Sequence, residues 1–331
     1  MYYIIFTLFM LFSHVTFADH ASANFETGSA GAIMTVPGST LPKGKSVIGV
    51  GVQFLDLDEI SDERLEQLGA ADEEVHSVES LLNVSANISY GITDDLTIGL
   101  SLPYVDRSNI REAHHDMGMG EVELAGDSIG LGDMSLFGQY RFYHDVSIDA
   151  AVMTGVKTPT GDTKERENEG GLFEAEQQPG SGSWDPFLGL SFNRIWGRTG
   201  VSSNVLYTFV TEGTQQTDLG DIFNYNLAAS YRAYLTEDGH DHNHHAHDSD
   251  IVDYVDVVLE LNGDYRGKVE INGEAEANSG GHTLYLSPGV RIGIGHSWSV
   301  FTSIGIPIIN DLNGVQSEPD YRIIGGLSKS F

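Results

Sequence analysis

Over 82–90 the chain reads Leu-Asn-Val-Ser-Ala-Asn-Ile-Ser-Tyr, with an apolar side chain at every second position and a small polar one between. Leu96, Ile98, Leu100 and Leu102 repeat the pattern against Thr97, Gly99 and Ser101. A period of two assigns the two residue kinds to opposite faces of an extended strand. Similar segments recur near 45–55, 134–143, 147–157, 184–196, 200–210, 222–234, 254–266, 282–293, 298–307 and 321–331. Together they predict about twelve strands. After residue 18 no run approaches the ~18 apolar residues that a membrane-crossing helix needs, so a membrane can be crossed only by strands.

The connections alternate in length. Short turns fall near 93–95, 143–146, 196–198 and 293–296, and long polar loops cover about 56–79, 106–132, 158–183, 211–221, 267–281 and 308–320. This asymmetry predicts an all-β fold: a transmembrane antiparallel up-and-down β-barrel of about twelve strands, with short periplasmic turns and long acidic extracellular loops. An even strand number puts both termini on the periplasmic side. A soluble up-and-down barrel also alternates, but its apolar faces point inward and it rarely needs so many strands. Trp196 and Trp298 fall at short-turn ends, while Trp184, Tyr104, Tyr265 and Tyr321 fall at long-loop ends. Amphipathic rings at both edges of an apolar band form an interfacial girdle.

The amino-terminal residues fit such a destination. Residues 2–12 form an apolar run of signal-peptide length, followed by small residues. The expectation is an export signal over 1–18, with cleavage after 23 as the alternative. Residues 24–43 then form a leader or a plug of the lumen, and 44–331 the barrel. The last segment ends on Phe331 and resembles the signal read by the barrel-insertion machinery, a partner alongside outer-membrane lipid and lipopolysaccharide. The expected location is the bacterial outer membrane.

Charge and composition narrow the function. Asp and Glu number 48 against 17 Lys and Arg, a net charge of −31, which leaves no basic face for nucleic acid. Cysteine is absent, so disulfides, thiolate metal sites and cysteine nucleophiles are excluded. Loop 56–79 carries ten acidic residues, with Ser61 placed to cap a short helix ended by Gly69. Its charge is read as a solvated outer face, with bridging to lipopolysaccharide through divalent ions as the alternative.

Parity places Arg141, Asp149, Arg232, Asp256, Glu260, Asp264, Arg291 and Arg322 on the inward face. Arg141 and Asp149 mirror each other about the turn at 143–146 and are expected to pair across that hairpin. Such charges either pair to fill the interior or form a constriction that selects solutes. A separate cluster, His240, His242, His244, His245 and His247, lies in an insertion over 236–253 that replaces a short periplasmic turn. Imidazoles interleaved with carboxylates suit weak, mobile capture of Zn, Ni or Cu; the chain needs no cofactor. His282 is near the outer rim, but no serine partner can be assigned to it, so the chain is expected not to be an enzyme.

Four pieces carry a family resemblance: Gly130-Leu-Gly132-Asp133 opening a strand, Gly155-Val-Lys-Thr-Pro159-Thr-Gly161-Asp162, Gly180-Ser-Gly-Ser-Trp184-Asp185-Pro186, and Tyr285-Leu-Ser-Pro288-Gly289. Their order and spacing resemble the outer-membrane barrels grouped under the MetA pathway of phenol degradation. The resemblance implies a barrel loosely akin to fatty-acid and aromatic-hydrocarbon channels. The expected function is passive diffusion of small solutes, hydrophobic or aromatic compounds among them. The alternative is a metal-handling barrel that concentrates divalent cations through its His-rich and acidic loops.

Overall fold

A computed structural model describes residues 31–331 apart from 72, 74, 117–118 and 237–250. The export segment over 1–18 and the cluster from His240 to His247 lie outside the described residues.

Twelve antiparallel strands form the wall: β1 (Ser46–Asp58), β2 (Ser80–Thr93), β3 (Leu96–Asp116), β4 in two segments (Met119–Leu131 and Ser135–His144), β5 (Ile148–Lys157), β6 (Asp185–Trp196), β7 (Thr199–Thr208), β8 (Ile222–Leu235), β9 (Val252–Arg266), β10 (Gly281–Ile294), β11 (Trp298–Leu312) and β12 (Glu318–Ser330). Each pairs with its neighbours in sequence, and β1 pairs with β12 from Val47↔Ser330 to Asp58↔Glu318. That last pairing closes the sheet and removes both edges, as a lipid-exposed sheet requires. The two segments of β4 both pair with β3, and the register slips by one residue where 132–134 leave the ladder. Among the described residues no helix is long and apolar enough to cross a membrane.

The wall sorts its side chains by parity. Leu82, Val84, Ile88, Leu96, Ile98, Leu188, Leu190 and Ile304 all point outward, while Asn83, Ser85, Asn87, Ser89, Ser191, Asn193, Ser202 and Asn204 are buried in the interior. This inverted arrangement suits a lipid surround and a polar interior. Trp184, Trp196 and Trp298 are exposed at strand ends, and Lys329 lays its ammonium 4.9 Å from the Trp298 ring. Leu190 lies midway between Trp184 and Trp196 on β6, so it marks the centre of the apolar band. Leu190→Arg should destabilise the folded barrel by about 2–4 kcal/mol, whereas Ile98→Arg, two positions from the start of β3, should cost about 0–1. Denaturant titration in lipid vesicles measures both; equal effects at the two depths would contradict the membrane placement.

One expectation is corrected. The stretch 106–132, expected as a loop, is crossed by β3 and β4 as a paired hairpin, Asp106↔Ile129 to Asp116↔Met119. Beyond the membrane the outer face no longer needs apolar residues, so the alternation disappears while the backbone ladder continues. Helix α1 (Asp62–Ala70) packs on this extension. Ser61 caps it, accepting from the Arg64 N–H, and Leu65 and Leu68 bury against Ile60, Val75 and Ala113. Gly120 is needed there, because a Cβ would collide with the Glu66 carbonyl of the helix. Short strands at Thr217–Asp218, Glu270–Ile271 and Glu274–Ala275 form a second, smaller sheet in the loops at the same end.

Candidate functional site

Three of the four Gly/Pro pieces converge on one buried ionic network at the long-loop end of the barrel. Lys157, the last residue of β5, sets its ammonium 2.7 Å from Asp185 and 3.6 Å from Asp133. Asp133 accepts from the Ser181 backbone N–H (2.7 Å), the Ser181 hydroxyl (2.6 Å) and the Gly161 N–H (2.9 Å). Ser183 donates to Asp185, and Asp162 accepts from the Leu131 N–H. Gly161 and Gly180 lie back to back, so a side chain on either would strike the other's backbone. The glycines thus let the loops close over two buried carboxylates that share a single lysine.

Toward the other end, the chain before β1 crosses the lumen. Ala32, Ile33, Thr35, Pro37, Gly38, Thr40 and Leu41 are buried. The consecutive N–H groups of Ile33, Met34 and Thr35 donate to the Glu260 carboxylate at 2.9–3.1 Å. Arg291 donates to the Ala32 carbonyl. The Val36 N–H donates to Asn204, Gln139 donates to the Pro37 carbonyl at 2.6 Å, and the Leu41 N–H donates to Thr97. Ile33 packs with Val258 and Ile324, and Gly289 of the fourth piece lies against it, where a Cβ would meet its Cδ1 at 2.5 Å. Residues of β3, β4, β7, β9 and β10 therefore hold this segment from all sides.

The inward charges find the following neighbours. Arg141 contacts Asp149 at 3.3 Å and Asp95 at 2.8 Å, so the hairpin pair meets with a third member from the adjacent turn. Arg232 makes a two-point pair with Asp256, 2.9 and 3.0 Å, under the Tyr254 ring. Arg322 lies 4.0 Å from the Tyr285 ring centre and donates to Asn262, which belongs to a ladder running through Asn204, Asn226, Asn262 and Ser287. Arg291 stacks on Phe301. Asp264 accepts from Asn224, and His282 meets the Tyr225 hydroxyl at 2.6 Å. The His-rich insertion is bounded by Thr236 and Ile251 at the short-turn end of β8 and β9.

Beside the ionic network, strand ends and loops at the long-loop end of the barrel line a cavity of about 190 Å³. Its wall is mixed. Leu57, Val75, Val78, Leu81, Val210 and Ile222 supply apolar surface, and Arg107, Lys157 and Arg266 supply charge. His76, Glu174 and Glu176 line its outer side. Burial alone would lower the His76 pKa, but the carboxylates of Glu176, Glu174 and Glu112 outweigh it and hold the imidazole up at about 9. Glu167 nearby is raised by burial and then by repulsion from Glu112 and Glu123.

No family model and no curated protein matches this chain. Solved structures do. The COG4313 outer membrane channel from Pseudomonas putida F1 aligns with a TM-score of 0.60 at 14% identity, covering 93% of this chain and all of that one. The toluene transporters TodX of Pseudomonas putida and TbuX of Ralstonia pickettii align at 10% and 9% identity over 88% of this chain and 90% of each. Their TM-scores of 0.41 and 0.42 are too low to bear on the fold. The barrel fold read from period-two alternation is therefore similar to that of a solved outer-membrane channel.

Proposed function

We propose that this chain is an outer-membrane channel that admits small apolar solutes, aromatic ones among them, by passive diffusion. The cavity is the observation that carries the reading. A closed space of about 150 Å³ suffices for benzene, so about 190 Å³ with Leu57, Val75, Val78, Leu81, Val210 and Ile222 in its mixed wall accommodates one ring. The likeness in fold to the COG4313 protein, an outer membrane channel, points the same way. In this reading the crossing segment is a stopper, and Arg141, Asp149, Arg232, Glu260, Arg291 and Arg322 set the charge of the path around it. Lipid and lipopolysaccharide surround the barrel, and the insertion machinery places it there. His240, His242, His244, His245 and His247 would capture Zn, Ni or Cu weakly; the described residues that flank them, Thr236 and Ile251, are at the short-turn end of the barrel.

The test must use a lipopolysaccharide barrier, because simple phospholipid vesicles are already permeable to aromatic hydrocarbons. Cells expressing the chain should take up a labelled monoaromatic hydrocarbon several-fold faster than cells carrying an empty vector. Uptake of a neutral pentose should change little. Equal acceleration of both solutes would assign the barrel to general porins, and acceleration of neither would reject a channel.

A further inference from the structure

Outside the lumenal path, four side chains from three separate stretches meet beside the cavity, three of them (His76, Glu174 and Glu176) in its wall. His76 comes from the short strand His76–Ser77, Glu112 from the extracellular extension of β3, and Glu174 and Glu176 from the 158–184 loop. The His76 Nε2 atom lies 3.5 Å from Glu112 Oε1 and 3.7 Å from Glu174 Oε2, and Nδ1 lies 3.6 Å from Glu176 Oε1. One donor atom each from His76, Glu174 and Glu176 can be chosen so that all lie within 4.8 Å of one another. These separations are long for direct hydrogen bonds, which favour about 2.7–3.2 Å. The two separations at Nε2 are close to the edges of a coordination tetrahedron, since ligands ~2.0–2.2 Å from one ion sit roughly 3.3–3.6 Å apart, and Glu176, beside the other ring nitrogen, would close on that ion by a change of rotamer.

Glu112 adds an independent sign. Its side chain is only 8% exposed, and its Oε1 atom, aimed at His76, accepts no hydrogen bond. A carboxylate oxygen withdrawn from water normally has a donor or an ion. Glu112 Oε2 meets His114 at 3.4 Å, and His114 also meets Glu123. With Glu167, five carboxylates crowd around two imidazoles.

We propose that His76, Glu112, Glu174 and Glu176 form a binding site for a divalent transition ion of the Zn²⁺ class on the extracellular side of the cavity. One imidazole with several carboxylates selects zinc or a close neighbour over the hard cations Mg²⁺ and Ca²⁺, which prefer oxygen alone. Because its ligands come from three stretches, the ion ties together the loops that wall the solute cavity. The site shares no residue with the His-rich insertion, whose flanking residues Thr236 and Ile251 are at the opposite end of the barrel.

That insertion would mask the signal, so the test starts from full-length protein with His240, His242, His244, His245 and His247 all changed to Ala and stripped with a chelator. Calorimetry with ZnCl₂ should show one saturable equivalent per barrel. Absorption with CoCl₂ should show the visible bands of a four-coordinate ion. Adding His76→Ala should weaken binding at least tenfold, and so should the milder Glu176→Gln, with folding of each variant verified by heat-modifiable gel mobility. Absence of stoichiometric binding in the five-alanine background would overturn the proposal. So would equal binding by the folded Glu176→Gln and His76→Ala variants.

Discussion

Lys157→Met should destabilise the barrel by about 3–5 kcal/mol, the usual cost of removing one partner from a buried ion pair. The side chain of Asp185 is fully buried and that of Asp133 is 2% exposed, and Lys157 is the cation both contact. Methionine keeps most of the volume and the apolar stem, so lost packing contributes little. What changes is that two carboxylates keep their hydroxyl and N–H donors but lose their counter-charge in a site that water reaches poorly. Combining Lys157→Met with Asp133→Asn and Asp185→Asn removes the charges as well as the cation and should restore much of the loss. Denaturation midpoints in vesicles read both effects. A Lys157→Met barrel as stable as wild type would mean that the network is solvated and does not hold the loops.

This network also shows where sequence reading succeeds and where it stops. Glycines and prolines at 130–133, 155–162 and 180–186 are legible as punctuation with a family resemblance. The charged residues inside them, Asp133, Lys157 and Asp185, are the ones that bring the pieces together, and no periodicity pairs residues so far apart. The wall is legible because lipid outside and polar groups inside impose a period of two on Leu82 through Tyr90 and on Leu96 through Leu102. Above the membrane that constraint lapses, which is why the hairpin of β3 and β4 reads as a loop. The inward position of Glu260 follows from parity, but its partners do not. They are backbone N–H groups more than 220 residues away, and backbone donors leave no trace in sequence. His76, Glu112, Glu174 and Glu176 are invisible for a related reason, since the His76↔Glu112 pairing falls in a stretch without alternation and loop packing brings Glu174 and Glu176 to it.

Glu260→Ala should release the crossing segment and raise single-channel conductance several-fold. The carboxylate accepts from three successive N–H groups, and each hydrogen bond to a charged acceptor is worth about 1.5–3 kcal/mol. Even if the freed N–H groups recover most of that from water, a net loss of about 3 kcal/mol shifts the ratio of docked to released segment by roughly a hundredfold. Arg291, Asn204, Gln139 and Thr97 would still hold their own positions along the segment. Openings should therefore be long-lived but reversible. Glu260→Gln, which keeps one acceptor oxygen without the charge, should fall between alanine and wild type. Deleting 31–40 supplies the decisive comparison. If Glu260 acts only by anchoring that stretch, Glu260→Ala in the deletion background should not increase conductance further, because coupled sites do not add. An equal increment with and without the segment would instead assign Glu260 a direct role in the path and leave the stopper held by its other contacts.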